Sequence, residues 1–312
     1  MQTVLKIENL SKYFGSRKVI DDISFETYAG EVFGFLGPNG AGKTTTIKMI
    51  MGLLSRDSGN IFINGADTKK DFEGAMANIG GIVENPEMYN YLTGIQNLRQ
   101  YKRVRDGVTE ERLSEVVRLV GLENRIKDKV KKYSLGMKQR LGIAQSIMHR
   151  PKVLILDEPT NGLDPAGIKE LRDIFKKMAH EENVGVFVSS HLLSEMELMC
   201  DRVGIIVNGR LIDVKPVAEL TSSIGGRLVY RFTVNPIDRA LEILASMNYP
   251  ADKINAAAQY IDIKIDDAAT EVSLINAAFI NGGVSLFGVS RLEQKLEDIF
   301  IELTGGGGGQ IA

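Results

Sequence analysis

A glycine-rich segment near the N-terminus carries residue types that bind phosphate. It lies between an apolar run at residues 32–36, which predicts a buried strand, and a helix-forming run that begins at Lys43. Its glycines allow consecutive backbone N–H groups to curl around an anion, and the new helix directs the positive end of its dipole there. Lys43 is placed to reach the β- and γ-phosphates of a nucleotide, and the Thr44 hydroxyl is a candidate magnesium ligand. The candidate nucleotide-binding residues here are Gly37, Pro38, Asn39, Gly40, Ala41, Gly42, Lys43, Thr44 and Thr45. The alternative is a plain glycine turn that binds no phosphate. The order of a strand, the G-x-x-x-x-G-K-T motif and a helix argues against it.

Polar residues also follow two other predicted buried strands. Asp157 and Glu158 end the apolar run at residues 153–156, and His191 follows the run at residues 184–188. The carboxyl ends of parallel strands meet at one edge of an open α/β sheet, where such sheets place their chemistry. We therefore expect Asp157 to hold a hydrated magnesium ion, Glu158 to polarise an attacking water and His191 to lie beside them. The alternative is an ordinary polar loop. His149 and His180 fall at predicted helix ends, where we expect them to be solvated.

Short strands and helices surround these motifs. Alternating residues predict antiparallel strands at 3–7 and 24–28, and Asn-Gly pairs predict hairpins at 64–65 and 208–209. Phe14 could stack on an adenine ring, although an ordinary strand residue is the alternative. From residue 84 to residue 150 the pattern becomes helical, with helices predicted at 93–104 and 109–120 and a third starting at Ser134. Such a helix start can bind an anion, although most bind only water.

Composition restricts the class of protein. The chain has 312 residues, is 44% hydrophobic and 25% charged, and balances 38 Lys and Arg against 40 Asp and Glu. These proportions predict a globular protein with no basic footprint for nucleic acid. The single cysteine, Cys200, fits a reducing compartment. No apolar run approaches the roughly 18 residues that span a membrane, so we expect a chain that is neither secreted nor membrane-spanning.

The pattern changes after about residue 220. Residues 227–304 alternate between strand-like and helix-like segments, with strands predicted at 228–234, 260–265 and 284–287 and helices at 237–247, 269–280 and 292–303. We predict a small accessory α+β domain that packs against a neighbour or stabilises a dimer, and the alternative is a regulatory or partner-docking domain. The glycine-rich residues 305–312 are a flexible tail by composition.

Together, the motifs in residues 3–220 resemble the ATP-binding subunit of an ABC transporter. Phe14 corresponds to the aromatic residue that stacks on adenine in this family, and the neighbouring Tyr13 is the alternative match. Residues 37–44 match Walker A. The ABC signature, usually written LSGGQ, corresponds to Ser134, Leu135, Gly136 and Met137. The resemblance implies that Asp157 is the Walker B aspartate and that Glu158 is the catalytic glutamate. It also implies that residues 161–164, which end at Asp164, are the D-loop and that His191 is the switch histidine. The implied fold is an α/β P-loop NTPase with an antiparallel β subdomain and a helical subdomain at about residues 85–150.

Two positions depart from the family pattern. Leu135 stands where the signature has a glycine, which leaves the backbone less room. Glu84 stands where the family generally has a glutamine that senses the metal and the attacking water. We expect Glu84, like Thr44 and Asp157, to be a candidate metal contact. An ionised carboxylate only accepts hydrogen bonds, so the role of the glutamine does not transfer directly. A glutamate at this position resembles the branch that exports bacitracin or confers self-protection against lantibiotics, and the closing segment at residues 292–304 is similar to that branch as well.

The resemblance implies how such a chain works. ATP and Mg²⁺ would bind between two copies of the chain, each signature completing the nucleotide site of the other copy, and ATP hydrolysis would open the dimer. The expected partners are a second ATPase subunit and integral-membrane permease subunits, with the chain cytoplasmic and peripheral on the inner face of the cell membrane. The expected function is ATP-driven export of an antimicrobial peptide. The alternatives are another small-molecule cargo or, with less support, an ABC ATPase that acts on ribosomes or DNA. A P-loop kinase or GTPase would require neither residues 134–137 nor His191.

Overall fold

The computed structural model of the chain describes residues 1–222, 228–266 and 268–292. They form two compact units, the first being Met1–Val217 and the second beginning at Ala218. The first ten strands are β1 (Thr3–Phe14), β2 (Arg17–Tyr28), β3 (Val32–Leu36), β4 (Ser58–Ile63), β5 (Ala66–Asp67), β6 (Ile79–Ile82), β7 (Val153–Asp157), β8 (Gly185–Ser190), β9 (Arg202–Val207) and β10 (Arg210–Pro216). The first eight helices are α1 (Lys43–Ile50), α2 (Phe72–Ala77), α3 (Gly94–Lys102), α4 (Glu110–Leu119), α5 (Leu135–Ile147), α6 (Pro165–His180), α7 (Leu193–Met199) and α8 (Val217–Ser222).

A six-stranded sheet in the order β10-β9-β3-β8-β7-β6 positions the candidate site. Its neighbouring strands are parallel, apart from the β9–β10 hairpin. The residues of β3, β7 and β8 are all buried, as expected for strands covered on both faces. The segments that follow β3, β6, β7 and β8 therefore leave one edge of the sheet, as the sequence predicts for the phosphate loop, the acidic pair and His191.

A second, antiparallel sheet has the order β2-β1-β4-β5 and shares its core with the first. Phe25 of β2 stacks on Phe33 of β3 at 5.5 Å and on Phe187 of β8 at 5.8 Å between ring centroids. Both β1 and β2 are 12 residues long, more than twice the predicted length. Register shifts along β1 interrupt the alternation of apolar and polar residues, so the alternating pattern marks only parts of these strands.

Three helices form the predicted helical part between β6 and β7. Thr93 begins α3 with a capping box, and the Thr109 side chain accepts the Arg112 N–H at the start of α4. Gly121 follows α4 with a φ of 64°, a conformation that favours glycine. Ser134 caps α5, because its Oγ accepts the Met137 N–H at 3.2 Å. The three predicted helices are confirmed, with ends that differ by one to three residues.

The second unit has the predicted α+β character. Its elements are β11 (Leu228–Asn235), α9 (Ile237–Ser246), β12 (Ile254–Ala256), β13 (Tyr260–Ile265), α10 (Ala268–Asn281) and β14 (Ser285–Leu292). The strands form an antiparallel sheet in the order β12-β13-β11-β14, which together with the element order is the ferredoxin-like β-α-β-β-α-β arrangement. Phe232 and Phe279 meet edge to face in its core at 5.8 Å. The described residues end at Leu292, so the rest of the predicted helix at 292–303 and the tail at 305–312 lie outside them.

In the described ranges, none of the helices combines the length and the apolar character needed to cross a membrane.

Candidate functional site

The phosphate loop is held tightly between β3 and α1. A Cβ at Gly37 would lie 2.3 Å from the Ile206 carbonyl oxygen, and one at Gly42 would lie 2.4 Å from Ile20 Cδ1. Gly42 also has a φ of 110°, so both the space and the backbone conformation require glycine there. Gly42 is the N-cap of α1 and, lacking a side chain, leaves the start of the helix without a side-chain cap. The loop thus offers a helix N-terminus to an anion.

Lys43 is almost completely buried, with 5% of its side chain exposed. Its ammonium donates to the Gly37 carbonyl oxygen at 2.8 Å and to the Pro38 carbonyl oxygen at 3.3 Å. It also lies 3.2 Å from Glu158 Oε1. The structure therefore joins the phosphate loop directly to the acidic pair at the end of β7.

Asp157 and Glu158 are linked through a buried hydroxyl. Ser189 Oγ donates to Asp157 Oδ1 at 2.7 Å and accepts the Glu158 N–H at 3.0 Å. Asp157 is 5% exposed, and Ser189 is completely buried. The Glu158 backbone has a φ of 45°, which is uncommon for a residue with a side chain and turns the chain sharply at the strand end. This turn aims two successive carboxylates at different neighbours.

The Glu158 carboxylate is the centre of the cluster. Besides Lys43, it accepts a hydrogen bond from Asn161 Nδ2 at 2.6 Å and lies 3.0 Å from His191 Nδ1. Burial acts to raise the pKa of Glu158, but the Asn161 hydrogen bond and the charges of Lys43 and His191 outweigh it and hold the pKa below its ordinary 4.5. Glu158 is therefore ionised at neutral pH.

The candidate signature residues lie against the turn at residues 161–164. A Cβ at Gly136 would lie 3.7 Å from Leu163 Cδ2, and one at Gly162 would lie 3.1 Å from Leu135 Cδ2. The Asp164 carboxylate caps α6 by accepting the Gly167 N–H at 2.9 Å. Within one chain, the start of α5 thus contacts the turn that follows Glu158.

Glu84 lies in an exposed turn after β6, with a φ of 64°. Its Oε1 is 2.9 Å from the Lys48 ammonium on α1, and 67% of its side chain is exposed. The structure thus places Glu84 at the predicted edge of the sheet but gives it a basic partner that sequence reasoning did not anticipate.

The aromatic and histidine predictions have mixed outcomes. Phe14 and Tyr13 are 51% and 45% exposed at the end of the β1–β2 hairpin, so both rings are accessible. His180 is exposed, with Nε2 3.1 Å from Asp201 Oδ2. The prediction that His149 is solvated is wrong, because its Nε2 lies 2.9 Å from the Ile79 carbonyl oxygen and burial lowers its pKa below the ordinary 6.5.

Sequence reasoning missed three contributors to the site: the Ser189 hydroxyl, the Asn161 amide and the Lys48 ammonium. Ser189 could have been found as a hydroxyl at the end of a fully buried strand, where it must find a partner. The sequence places Asn161 in a turn, but no pattern in it indicates the hydrogen bond to Glu158. Nothing in the local pattern around Lys48 singles it out. In the part of the chain that the structure describes, no cluster of three or more His, Cys, Asp or Glu residues forms a metal site.

Comparisons with known proteins show the family to which this chain belongs. A family model for the ABC transporter domain matches residues 20–161, which include the phosphate loop and the acidic pair. The ABC transporter ATP-binding protein YhcH of Bacillus subtilis (strain 168) is 49% identical over 98% of this chain and 97% of that protein. The chain belongs to the ABC transporter ATP-binding proteins.

Other members of the ABC transporter ATP-binding family are similar over different lengths. The bacitracin transport ATP-binding protein BcrA of Bacillus licheniformis is 39% identical over 98% of this chain and 99% of its own. The lantibiotic transport ATP-binding protein SrtF of Streptococcus pyogenes is 43% identical over 67% of this chain and 89% of its own. A solved structure of an ATP-binding subunit of an ABC transporter has a TM-score of 0.62 and 31% identity, covering 70% of this chain and 91% of that one. The similarity to YhcH and BcrA extends beyond residues 3–220 into the second unit.

Membership of the ABC family fixes the general activity. The chain is a nucleotide-binding ATPase of α/β P-loop fold, and ATP-binding subunits of this kind work with membrane permease subunits. This confirms the predicted family, fold class and enzymatic activity.

Proposed function

We propose that this chain powers the export of an antimicrobial peptide, of the bacitracin or lantibiotic type, through separate membrane subunits. The similarity to the bacitracin transport protein BcrA and to the lantibiotic transport protein SrtF supports this cargo class. The glutamate at position 84, which resembles the same branch, supports it as well. The ATPase motifs do not identify the cargo, so the cargo requires a test separate from that of the ATPase activity. The chain would lie on the inner face of the cell membrane, attached through its permease.

One observation carries the proposed mechanism: the ionised Glu158 carboxylate lies between Lys43 and His191. With its lowered pKa, Glu158 is a weak base, so it would orient and polarise the attacking water rather than take a full proton from it early. Lys43 would hold the β- and γ-phosphates. His191 contacts Glu158 through Nδ1, which leaves Nε2 to contact the γ-phosphate. Asn161 would keep the Glu158 carboxylate in place through its 2.6 Å hydrogen bond.

The residues present fit a magnesium ion. Mg²⁺ prefers hydroxyl and carboxylate oxygens, which Thr44 at the start of α1 and the buried Asp157 supply. Ser189 fixes the orientation of Asp157 through one carboxylate oxygen. Held by Thr44 and Asp157, a magnesium ion would supply positive charge that offsets the charge developing on the phosphates. The backbone N–H groups of residues 39–45 would surround the phosphates, and Phe14 would stack on the adenine.

We further propose that two copies form the working dimer. Ser134, Gly136 and Met137 of the partner subunit would contact the γ-phosphate through the start of α5. The support for this is the resemblance of residues 134–137 to the ABC signature. Within one chain, residues 135–136 contact the turn at 161–164, so a movement of the turn after Glu158 would also reach the helix start. Asp164 would hold that turn by capping α6.

A cavity of about 360 Å³ lies beside the helical part and is the proposed docking site of a permease segment. Its lining includes Met51 at the end of α1, Gly81 of β6, and Tyr101 and His149 of the helical part. The lining combines apolar side chains such as Met51 with polar ones such as His149, which suits the apolar face of an amphipathic helix.

Glu158→Gln tests the catalytic proposal. We expect this variant to lose turnover while retaining ATP and accumulating as an ATP-bound dimer, which gel filtration coupled to light scattering would detect. The exposed Glu123→Gln is the matched control and should behave as the wild type. Near-normal ATPase activity of Glu158→Gln would remove Glu158 from the proposed role.

Drug sensitivity tests the cargo. Cells that carry the chain together with the permease recovered with it from native membranes should tolerate higher concentrations of bacitracin or a lantibiotic than cells that carry Lys43→Ala with the same permease. If the two kinds of cell are equally sensitive to both peptides, and the wild-type chain protects instead against another small molecule, that molecule replaces the proposed cargo. Recovery of the chain with ribosomes or DNA rather than with a membrane permease would overturn the transporter assignment.

A further inference from the structure

The ion pair between Lys48 and Glu84 joins two parts of the nucleotide site that are far apart in sequence. Lys48 lies on α1, which begins at the phosphate loop, and Glu84 lies in the turn after β6. The two charged atoms are 2.9 Å apart, a hydrogen-bonding distance for an ammonium and a carboxylate. The pair thus bridges the far end of the phosphate-binding helix and the start of the helical part.

A second contact lies next to this pair. Lys48 and Met51 are three positions apart at the end of α1 and so project from the same side. A Cβ at Gly81 would lie 2.8 Å from Met51 Cε, so the methionine packs directly on the backbone of β6. Contacts at Gly81 and Glu84 therefore fix α1 to the end of β6 and to the turn that follows it.

The segment after Glu84 is also fixed at its other end. The Tyr89 N–H donates to Asn97 Oδ1 at 2.8 Å, and Asn97 Nδ2 donates to the Tyr89 carbonyl oxygen at 3.1 Å. Asn97 is completely buried in α3. Residues 84–89 therefore form a short connection, held by α1 at one end and by α3 at the other.

We propose that Glu84 is a positioning residue that acts on ATP hydrolysis through Lys48, rather than a magnesium contact. The pair holds α1, with Lys43 and Thr44 at its start, in a set position relative to the helical part. A glutamine at position 84 could not form this ion pair. The inference rests on the proposed roles of Lys43 and Thr44, because they are the groups that α1 would position.

A set of four variants tests the pairing: Glu84→Gln, Lys48→Gln, the two combined, and the exchange Glu84→Lys with Lys48→Glu. Each single change should lower kcat by about tenfold with KM for ATP within about twofold, because positioning affects the transition state more than ground-state binding. The double variant should be no worse than either single variant, and the exchanged pair should recover to within about threefold of the wild type. The matched control is another exposed ion pair, Lys6 with Glu8, whose Lys6→Gln and Glu8→Gln variants should keep full activity.

Two further readouts separate positioning from metal binding and from folding. The Mg²⁺ concentration that gives half-maximal ATP binding should be unchanged in Glu84→Gln and Lys48→Gln. Thermal midpoints should also be unchanged within about 2 °C, because exposed ion pairs contribute little to folding. A several-fold rise in the Mg²⁺ requirement of Glu84→Gln alone, or strictly additive losses without recovery in the exchanged pair, would overturn the inference.

Lys43→Ala, measured in parallel, keeps this inference separate from the proposed function. If Lys43→Ala turns over ATP normally, the proposed site roles fail. If Lys43→Ala is inactive while all four variants at positions 48 and 84 match the wild type, only the positioning role fails.

Discussion

Ser189→Ala removes one hydroxyl and tests how the two carboxylates are held. Ser189 Oγ donates to Asp157 and accepts the Glu158 N–H, and the residue is completely buried. Alanine fits the same space but makes neither hydrogen bond. Both Asp157 Oδ1 and the Glu158 N–H then lose their partner in a place that water does not readily reach.

The size of the effect follows from these two bonds. A hydrogen bond to a charged group contributes about 1.5–3 kcal/mol, and a buried donor left without an acceptor costs about 1–3 kcal/mol. Since some relaxation offsets the loss, we expect the free energy of unfolding to fall by about 2–4 kcal/mol. Misplacement of reacting groups by about 1 Å can cost about 100-fold in rate, so kcat should fall by about 10- to 100-fold.

Two assays measure these effects: urea unfolding followed by circular dichroism, and phosphate release at saturating ATP and Mg²⁺. The matched control is Ser190→Ala, one residue further along, because the Ser190 hydroxyl accepts only a loop N–H from Leu192 at 2.9 Å among its described contacts. That control should lose about 1 kcal/mol of stability and keep its kcat within about threefold. The reasoning is refuted if Ser189→Ala retains the turnover and stability of the Ser190→Ala control.

Three other predictions concern the same site. Lys43→Ala should weaken ATP binding by about 100-fold, since the ammonium makes charge-assisted contacts to phosphate, and unchanged affinity in a calorimetric titration would contradict this. Leu135→Gly should lower the free energy of unfolding by about 1–2 kcal/mol and reduce turnover, because Leu135 packs on Gly162, and an equally stable variant would show that this packing is unimportant. The stability contributed by ionised Glu158 should be fully present above pH 4.5 and should be lost as pH falls through its lowered folded-state pKa. Urea unfolding of the wild type and Glu158→Gln from pH 7 to pH 3 measures this, and a difference that already shrinks between pH 7 and pH 5 would indicate a raised pKa instead.

Much of the fold follows from local chemistry in the sequence. Thr109 begins α4 because its side chain satisfies a free N–H, and Gly121 ends the same helix because it accepts a positive φ. The Asn208-Gly209 turn likewise produces the β9–β10 hairpin, and the apolar run before Asp157 produces β7. In each case the determining groups lie within a few residues of one another, so a sequence pattern contains the whole cause.

The parts that could not be predicted depend on contacts between distant segments. The Lys48–Glu84 pair spans 36 positions, and Ser189 meets Asp157 across 32. His149 follows the end of α5, where exposure is the usual outcome, but its ring is half-buried and lies 2.9 Å from the Ile79 carbonyl oxygen of β6. Register shifts in β1 depend on its pairing with β2, so its full length is not readable from alternation alone.

The contact between Lys43 and Glu158 has a consequence for affinity. The ammonium that is proposed to hold the phosphates is already satisfied by the Glu158 carboxylate and by two carbonyl oxygens. Glu158 would therefore act as an internal competitor of the nucleotide, because an incoming phosphate would have to displace or share it to reach Lys43. We expect this competition to weaken ATP binding, because part of the binding free energy must replace the contact between Lys43 and Glu158. The carboxylate that would promote hydrolysis would thereby also weaken the hold on a phosphate near Lys43, so one side chain would influence both turnover and nucleotide affinity.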